Sequence, residues 1–181
     1  MNENGIVIKI NDNVLELVKG DITAQKTDSI VNAANSRLAP GGGVAGATHR
    51  AAGYELWKEC KKLDGCRTGE AKITKGYNLP APYVIHTVGP VYSSSDDDPI
   101  LLKASYENSL KLAKEKDLKS ISFPALSTGA FGYPKREAAE IAFNTIMNFL
   151  RNNKKPNIVR FVLYSERDFN IHKEVLENLL S

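Results

Sequence analysis

The chain is predicted to form an α/β fold, a three-layer α/β/α sandwich around a mixed, mostly parallel central sheet. Short runs rich in Ile and Val alternate with longer stretches rich in Ala, Leu, Glu and Lys along its 181 residues. In the second half this alternation implies parallel strands joined by right-handed crossover helices. At 42% hydrophobic and 25% charged, the composition supports a full core. Two glycine-bearing segments, Asn35–Gly46 and Ser127–Gly132, fall where a hydrophobic run gives way to a helical pattern. In an open α/β sheet that junction, beyond the carboxyl ends of the strands, is where ligands bind.

Strands are expected at Ile6–Ile10, Val14–Val18, Ser29–Asn32, Lys72–Gly76, Tyr83–Val88, Ser120–Pro124 and Ile158–Tyr164. The first two are short and close together, so they suit an antiparallel edge. Helical periodicity covers Val44–Leu63, Ile100–Lys116, Lys135–Arg151 and Phe169–Leu180. The turn-forming stretches Val91–Pro99 and Asn152–Pro156 are loops, because the same pattern continues on both sides of each. With no internal repeat and no composition break, residues 1–181 read as a single domain.

Charge and cysteine content exclude several function classes. Lys and Arg number 24 against 21 Asp and Glu, a net charge of +3 that gives no electrostatic case for nucleic acid as a partner. Cys60 and Cys66 are the only cysteines and have no histidine nearby in sequence, so neither a zinc site nor a disulfide framework is expected, and no metal or cofactor is called for. No apolar run reaches the length of a membrane span, and the N-terminal residues lack the apolar stretch of a signal peptide. A cytoplasmic monomer is the expectation.

Glycine lets the backbone turn its N–H groups toward an anion and approach it closely, and a following helix adds its positive N-terminal end. Two such loops in one site suit a diphosphate. Gly41, Gly43 and Gly46 satisfy the G-x-G-x-x-G spacing of dinucleotide-binding folds, but residues 34–40 separate the first of them from the preceding strand. That fingerprint needs its first glycine in the turn directly after the strand, so the dinucleotide reading is set aside. His49, His86 and His172 pair with no serine or cysteine at a triad-like spacing and read as satisfied structural histidines. Ser127 lacks the G-x-S-x-G context of an α/β-hydrolase nucleophile.

Several segments together resemble the macrodomain family. They are Gly20-Asp-Ile-Thr23, Ile30-Val-Asn-Ala-Ala-Asn35, Gly41-Gly-Gly-Val-Ala-Gly46, Thr68–Thr74, Val84–Pro90 and Ile121–Pro134, in that order along most of the chain. His49-Arg-Ala-Ala-Gly53 and the region from Cys60 to Gly69 further resemble the MacroD-type members. The resemblance implies a domain that binds ADP-ribose and hydrolyses mono-ADP-ribose from acidic protein side chains or removes the acetyl group of O-acetyl-ADP-ribose. Its partners would be ADP-ribose, a mono-ADP-ribosylated protein or O-acetyl-ADP-ribose.

Carried over residue by residue, the resemblance assigns Asp21, beside Ile22, to the adenine amino group; the alternative for Asp21 is a helix or turn cap. Phe169 resembles the aromatic at the adenine edge, with ordinary core packing as the alternative. Asn35 resembles the residue that holds the distal ribose, and Asn32 reads as structural, bonding backbone in the same turn. The loops Gly41, Gly42, Gly43, Val44 and Ser127, Thr128, Gly129, Ala130, Phe131 would cradle the two phosphates, with the Phe131 ring over the distal ribose. Ala45 is the departure. MacroD-type hydrolases carry an aspartate there, thought to help activate the attacking water, and alanine can neither take a proton nor orient water. Loss of a general base costs about 10²–10⁴ in rate. A hydrolase and a non-catalytic ADP-ribose reader both remain open on the sequence.

Overall fold

The computed structural model describes residues 5–181. Seven strands and five α-helices follow in the order β1 (Ile6–Ile10), β2 (Asn13–Lys19), a 3-10 turn (Ile22–Ala24), β3 (Ser29–Ala33), α1 (Gly43–Ala52) and α2 (Tyr54–Lys61). The chain continues through β4 (Ala71–Lys75), β5 (Tyr83–Thr87), α3 (Asp97–Glu115), β6 (Ser120–Phe123), α4 (Lys135–Asn152), β7 (Ile158–Leu163) and α5 (Glu166–Leu180). One sheet holds all seven strands in the order β1-β2-β7-β6-β3-β5-β4. The five inner strands run parallel, and β1 and β4 close the edges antiparallel to β2 and β5.

The antiparallel β1 edge matches expectation, whereas β4 is a second antiparallel edge that the alternation did not signal. Its cause is the connection: β4 and β5 are joined by a turn in which the Gly76 N–H donates to the Pro82 carbonyl at 2.7 Å, with no helix to make a crossover. The single helix expected over Val44–Leu63 is two helices. Gly53 takes φ +90° and its N–H donates to the His49 carbonyl at 3.0 Å, ending α1 before α2 begins. The 3-10 turn, capped by Asp21, is too short to show periodicity.

Neighbouring strand residues feed opposite layers, as a pleat of period two requires. Val31, Ile85 and Phe161 join the larger core under α3, α4 and α5, with Tyr106, Phe143 and Leu176. Ile30, Val84 and Val162 join the smaller core under α1 and α2, with Ala52, Leu56 and Cys60. On α4 the buried stripe Ala139, Phe143, Ile146, Leu150 repeats at three- and four-residue steps, so one face seals the sheet. Each large side chain removed from water there contributes about 1.5–3 kcal/mol. Because β2, β7, β6 and β3 share a direction, the segments after their C-terminal ends, residues 20–25, 164–169, 124–132 and 34–46, emerge on one edge of the sheet.

Candidate functional site

That edge holds a crevice of about 310 Å³. Ala33, Ala34, Asn35 and Gly41–Ala45 form one wall; Ala125–Ser127, Gly129, Ala130 and Phe131 form the other, with Gly89 between them. The volume is at the lower end of the range for small-molecule sites. Both glycine loops line it, as the sequence pattern implies.

The backbone of both walls is set to receive an anion. The N–H groups of Gly42, Gly43 and Val44 on one side, and of Gly129, Ala130 and Phe131 on the other, donate to no other described residue. On the first wall Gly43 has φ +54° and opens α1, whose last carbonyls lie a helix length away, so the positive end of the helix faces the crevice. A Cβ at Gly42, Gly43 or Gly129 would meet nothing within 4 Å, which leaves the loop surface open to a ligand. Gly46 is different in kind. Its Cβ would stand 2.3 Å from the Gly41 carbonyl oxygen, so glycine there lets the loop fold back on the helix.

The second wall is held from below. Ser127 is a non-glycine residue at φ +65°, a conformation kept by its surroundings. The Tyr106 hydroxyl accepts from the Leu126 N–H at 3.0 Å, and the Ser127 carbonyl accepts from the Tyr133 N–H at 2.8 Å. Gly89 makes room for the turn, since a Cβ there would be 2.2 Å from Ser127 Oγ. The Phe131 carbonyl is tied to the Tyr92 N–H at 2.9 Å, and Thr128 lies within the loop without lining the crevice.

Asn35 lines the crevice and also braces its own loop. Its Oδ1 accepts from the N–H of Ala39 at 3.0 Å and of Arg37 at 3.2 Å, and its Nδ2 donates to the Ala39 carbonyl at 2.8 Å. An amide nitrogen carries two hydrogens, so one remains for a ligand hydroxyl. Ala45 lies on α1 at the crevice wall, and no side chain lining the crevice is ionisable. Asn32 does not bond backbone as expected; its Nδ2 lies 3.0 Å from His86 Nδ1, across from β3 to β5. The other ring nitrogen of His86 is 2.9 Å from Thr74 Oγ1, and complete burial pushes the imidazole down to about 3. His86 and His172, whose Nδ1 is 2.8 Å from the Asp168 carbonyl, are satisfied structural histidines. His49 is not: it is 7% exposed and neither ring nitrogen has a partner among the described residues. Cys60 and Cys66 are free, buried thiols, and burial pushes Cys60 up to about 12.

Asp21 and Ile22 follow β2 outside the crevice walls. Asp21 is exposed and caps the 3-10 turn, its Oδ1 accepting from the Thr23 N–H at 2.8 Å and Oγ1 at 2.7 Å. Its Oδ2 accepts a hydrogen bond from no described residue. The Ile22 side chain is buried in the smaller core, which leaves its backbone for the surface. Phe169 is 6% exposed and belongs to the larger core, so it presents no open face for stacking. The aromatic at that edge is Tyr164, 83% exposed, directly after β7. Lys19 pairs with Leu163 and the Gly20 N–H donates to the Leu163 carbonyl at 2.9 Å, which sets Tyr164 beside Gly20, the residue before Asp21. Sequence reading placed Tyr164 inside the strand; its place at the carboxyl end of a parallel strand is the signal that marks it.

Comparison with known proteins agrees with this geometry. The family model described as Macro domain matches residues 31–142. A macro domain-containing protein of Methanosarcina mazei is 48% identical over 98% of this chain and 96% of its own length. Human ADP-ribose glycohydrolase MACROD2 is 47% identical over 92% of this chain, which spans 40% of that protein. The solved Oceanobacillus iheyensis macrodomain with ADP is 48% identical, with a TM-score of 0.94 over 97% of this chain and 96% of that one. Variants of the Oceanobacillus domain have also been solved. In them an asparagine, and an aspartate ten residues after it, are each changed to alanine, and a glycine seven residues after the asparagine is changed to valine, the last with ADPR. Asn35, Gly42 and Ala45 have the same spacing in this sequence. The match along the whole length, the shared sheet and the paired glycine loops give one conclusion: the chain belongs to the macrodomain family and is of the MacroD type.

Proposed function

We propose that this macrodomain binds ADP-ribose in the crevice and is built on the site of a hydrolase that releases mono-ADP-ribose from acidic protein side chains or deacetylates O-acetyl-ADP-ribose. The observation that carries the reading is the pair of free amide rows on opposite walls of one crevice. Each row supplies donors for one phosphate of a diphosphate, in fixed positions that need no rearrangement on binding. The solved relatives that hold ADP or ADPR support the same ligand. Asp21 accepts from the adenine amino group, Tyr164 offers the ring for stacking, and the free hydrogen of Asn35 Nδ2 points the distal ribose toward Ala45.

Catalysis in this chain is constrained by Ala45. With no ionisable side chain on the crevice wall, no protein group takes a proton from the attacking water. What remains is positioning: the loops hold the diphosphate, Asn35 holds the ribose, and water lies against the proximal phosphate, itself the nearest acceptor for a proton. The shared spacing with the Oceanobacillus domain supports position 45 as the place of the missing carboxylate. A reader that binds without turnover is the second reading, and the alanine is the observation that favours it.

Calorimetric titration with ADP-ribose and with AMP tests the binding claim. ADP-ribose engages both cradles and AMP at most one, so ADP-ribose binds much more tightly. Equal affinities would remove the two-cradle reading.

A further inference from the structure

Behind the first glycine loop lies a second hollow, of about 360 Å³, lined by Gly41, Gly46, His49, Arg50, Tyr54 and Trp57 among others. Gly41 lines both this hollow and the ADP-ribose crevice, so the loop is a shared wall. We propose that the hollow receives an acidic side chain of the protein that carries the ADP-ribosyl group, a residue flanking the modified one. The inference rests on the reading of the crevice as an ADP-ribose site.

The crevice itself has no charged side chain, so it treats every ADP-ribosylated target alike. Discrimination among targets needs contacts beyond the distal ribose, and the hollow adjoins that end, where Asn35 and Ala45 stand. Its chemistry selects a hydrogen-bonding anion. His49 is 7% exposed with both ring nitrogens unpaired among the described residues, a costly arrangement unless a partner arrives. Burial holds its imidazole below the usual range, so at neutral pH it is an uncharged ring with one N–H to donate.

Arg50 lines the same hollow, and Lys61 stands over two of its rings. Arg50 is exposed, forms no ion pair with a described residue, and its Nη1 lies 3.0 Å from where a Cβ of Gly46, one turn earlier on α1, would stand. Lys61 Nζ stands 5.4 Å from the Trp57 ring centre and 5.7 Å from that of Tyr54. Of the two carboxylates on α2, Glu55 is tied to Lys58 at 3.0 Å and Glu59 accepts from the Tyr77 hydroxyl at 2.7 Å and the Lys75 N–H at 3.2 Å; neither Arg50 nor Lys61 forms an ion pair with a described residue. Trp57 meets the edge of His49 at 6.4 Å, and Tyr54 is 64% exposed. These rings give the aliphatic stem of a glutamate an apolar wall.

The test compares two fluorescein-labelled peptides, each bearing one ADP-ribosyl group through a hydrolysis-resistant linkage, with glutamates or alanines flanking it. Free ADP-ribose is the control. The unaltered protein binds the glutamate peptide about fivefold more tightly than the alanine peptide, the size expected of a mostly exposed charge contact. Arg50→Ala, a change at an exposed residue, abolishes the difference and leaves free ADP-ribose unaffected; Lys61→Ala reduces it. His49→Phe, which keeps the ring and removes its nitrogens, also reduces it. Equal affinity for the two peptides, or a preference that survives both Arg50→Ala and Lys61→Ala, overturns the proposal. If the unaltered protein fails to bind free ADP-ribose, the site reading fails, and this proposal with it.

Discussion

Asp21 separates a structural from a ligand-binding role within one side chain, because its two oxygens face different tasks. Oδ1 caps the 3-10 turn through Thr23, while Oδ2 accepts from no described residue, and the proposed site gives it to adenine. Asp21→Ala removes both. Loss of a cap costs about 1 kcal/mol, which in a domain of this size lowers Tm by about 2–4 °C. Loss of a hydrogen bond to a charged group costs about 1.5–3 kcal/mol, or about ten- to a hundredfold in affinity. Asp21→Asn divides the two. Its carboxamide oxygen still caps Thr23, so Tm stays within about 1 °C of the parent. Its amide nitrogen then faces the adenine amino group donor to donor, so ADP-ribose weakens by about tenfold or more. Thermal melts and calorimetry on the two variants read both effects. An Asp21→Asn protein that binds ADP-ribose as tightly as the parent would show that Asp21 is only a cap.

Other outcomes follow from the same geometry. Ala45→Asp raises single-turnover release of ADP-ribose from a mono-ADP-ribosylated substrate by about 10²-fold or more with little change in binding, and Asn35→Ala in that background removes the gain; an unchanged rate favours the reader. Tyr164→Ala weakens ADP-ribose by about 1–3 kcal/mol at unchanged Tm, whereas Phe169→Ala lowers stability by about 3–5 kcal/mol; the reverse pattern in melts and titrations returns the stacking role to Phe169. His86 is held down to about 3 and both His49 and His172 are lowered by burial, so the unfolded chain, with histidines near 6.5, binds more protons in that window. Stability from these groups is fully present above about pH 6.5 and is lost as pH falls toward 3. Tm measured from pH 7 to 4 therefore declines, and less steeply in His86→Gln; an equal slope in the variant would contradict the assignment.

Much of the fold was legible because inner strands such as β3, β5 and β7 are largely buried and carry adjacent Ile and Val residues, while β1 alternates exposed and covered positions; every strand is found within a residue or two of its expected place. The glycine loops were legible for a different reason, since Gly42, Gly43 and Gly129 leave the approach to the free amides of both walls unobstructed. The missed features depend on contacts that periodicity does not encode. Gly53 splits a helical pattern through a positive φ, and the antiparallel edge at β4 depends on a turn closed by Gly76 and Pro82. Tyr164 and Phe169 are five residues apart with similar side chains, and only the end of β7 decides which is exposed and which is core. The unpaired state of His49 is a property of what surrounds α1, and nothing in the local sequence signals it.

The central claim is that one ligand spans two amide cradles on opposite walls of one crevice. Backbone amide NMR during a titration with ADP-ribose tests it most directly. The account predicts that the resonances of Gly42, Gly43 and Val44 and those of Gly129, Ala130 and Phe131 move together at the same ligand concentration. Movement of one set alone, or of neither while residues outside the crevice respond, would contradict it.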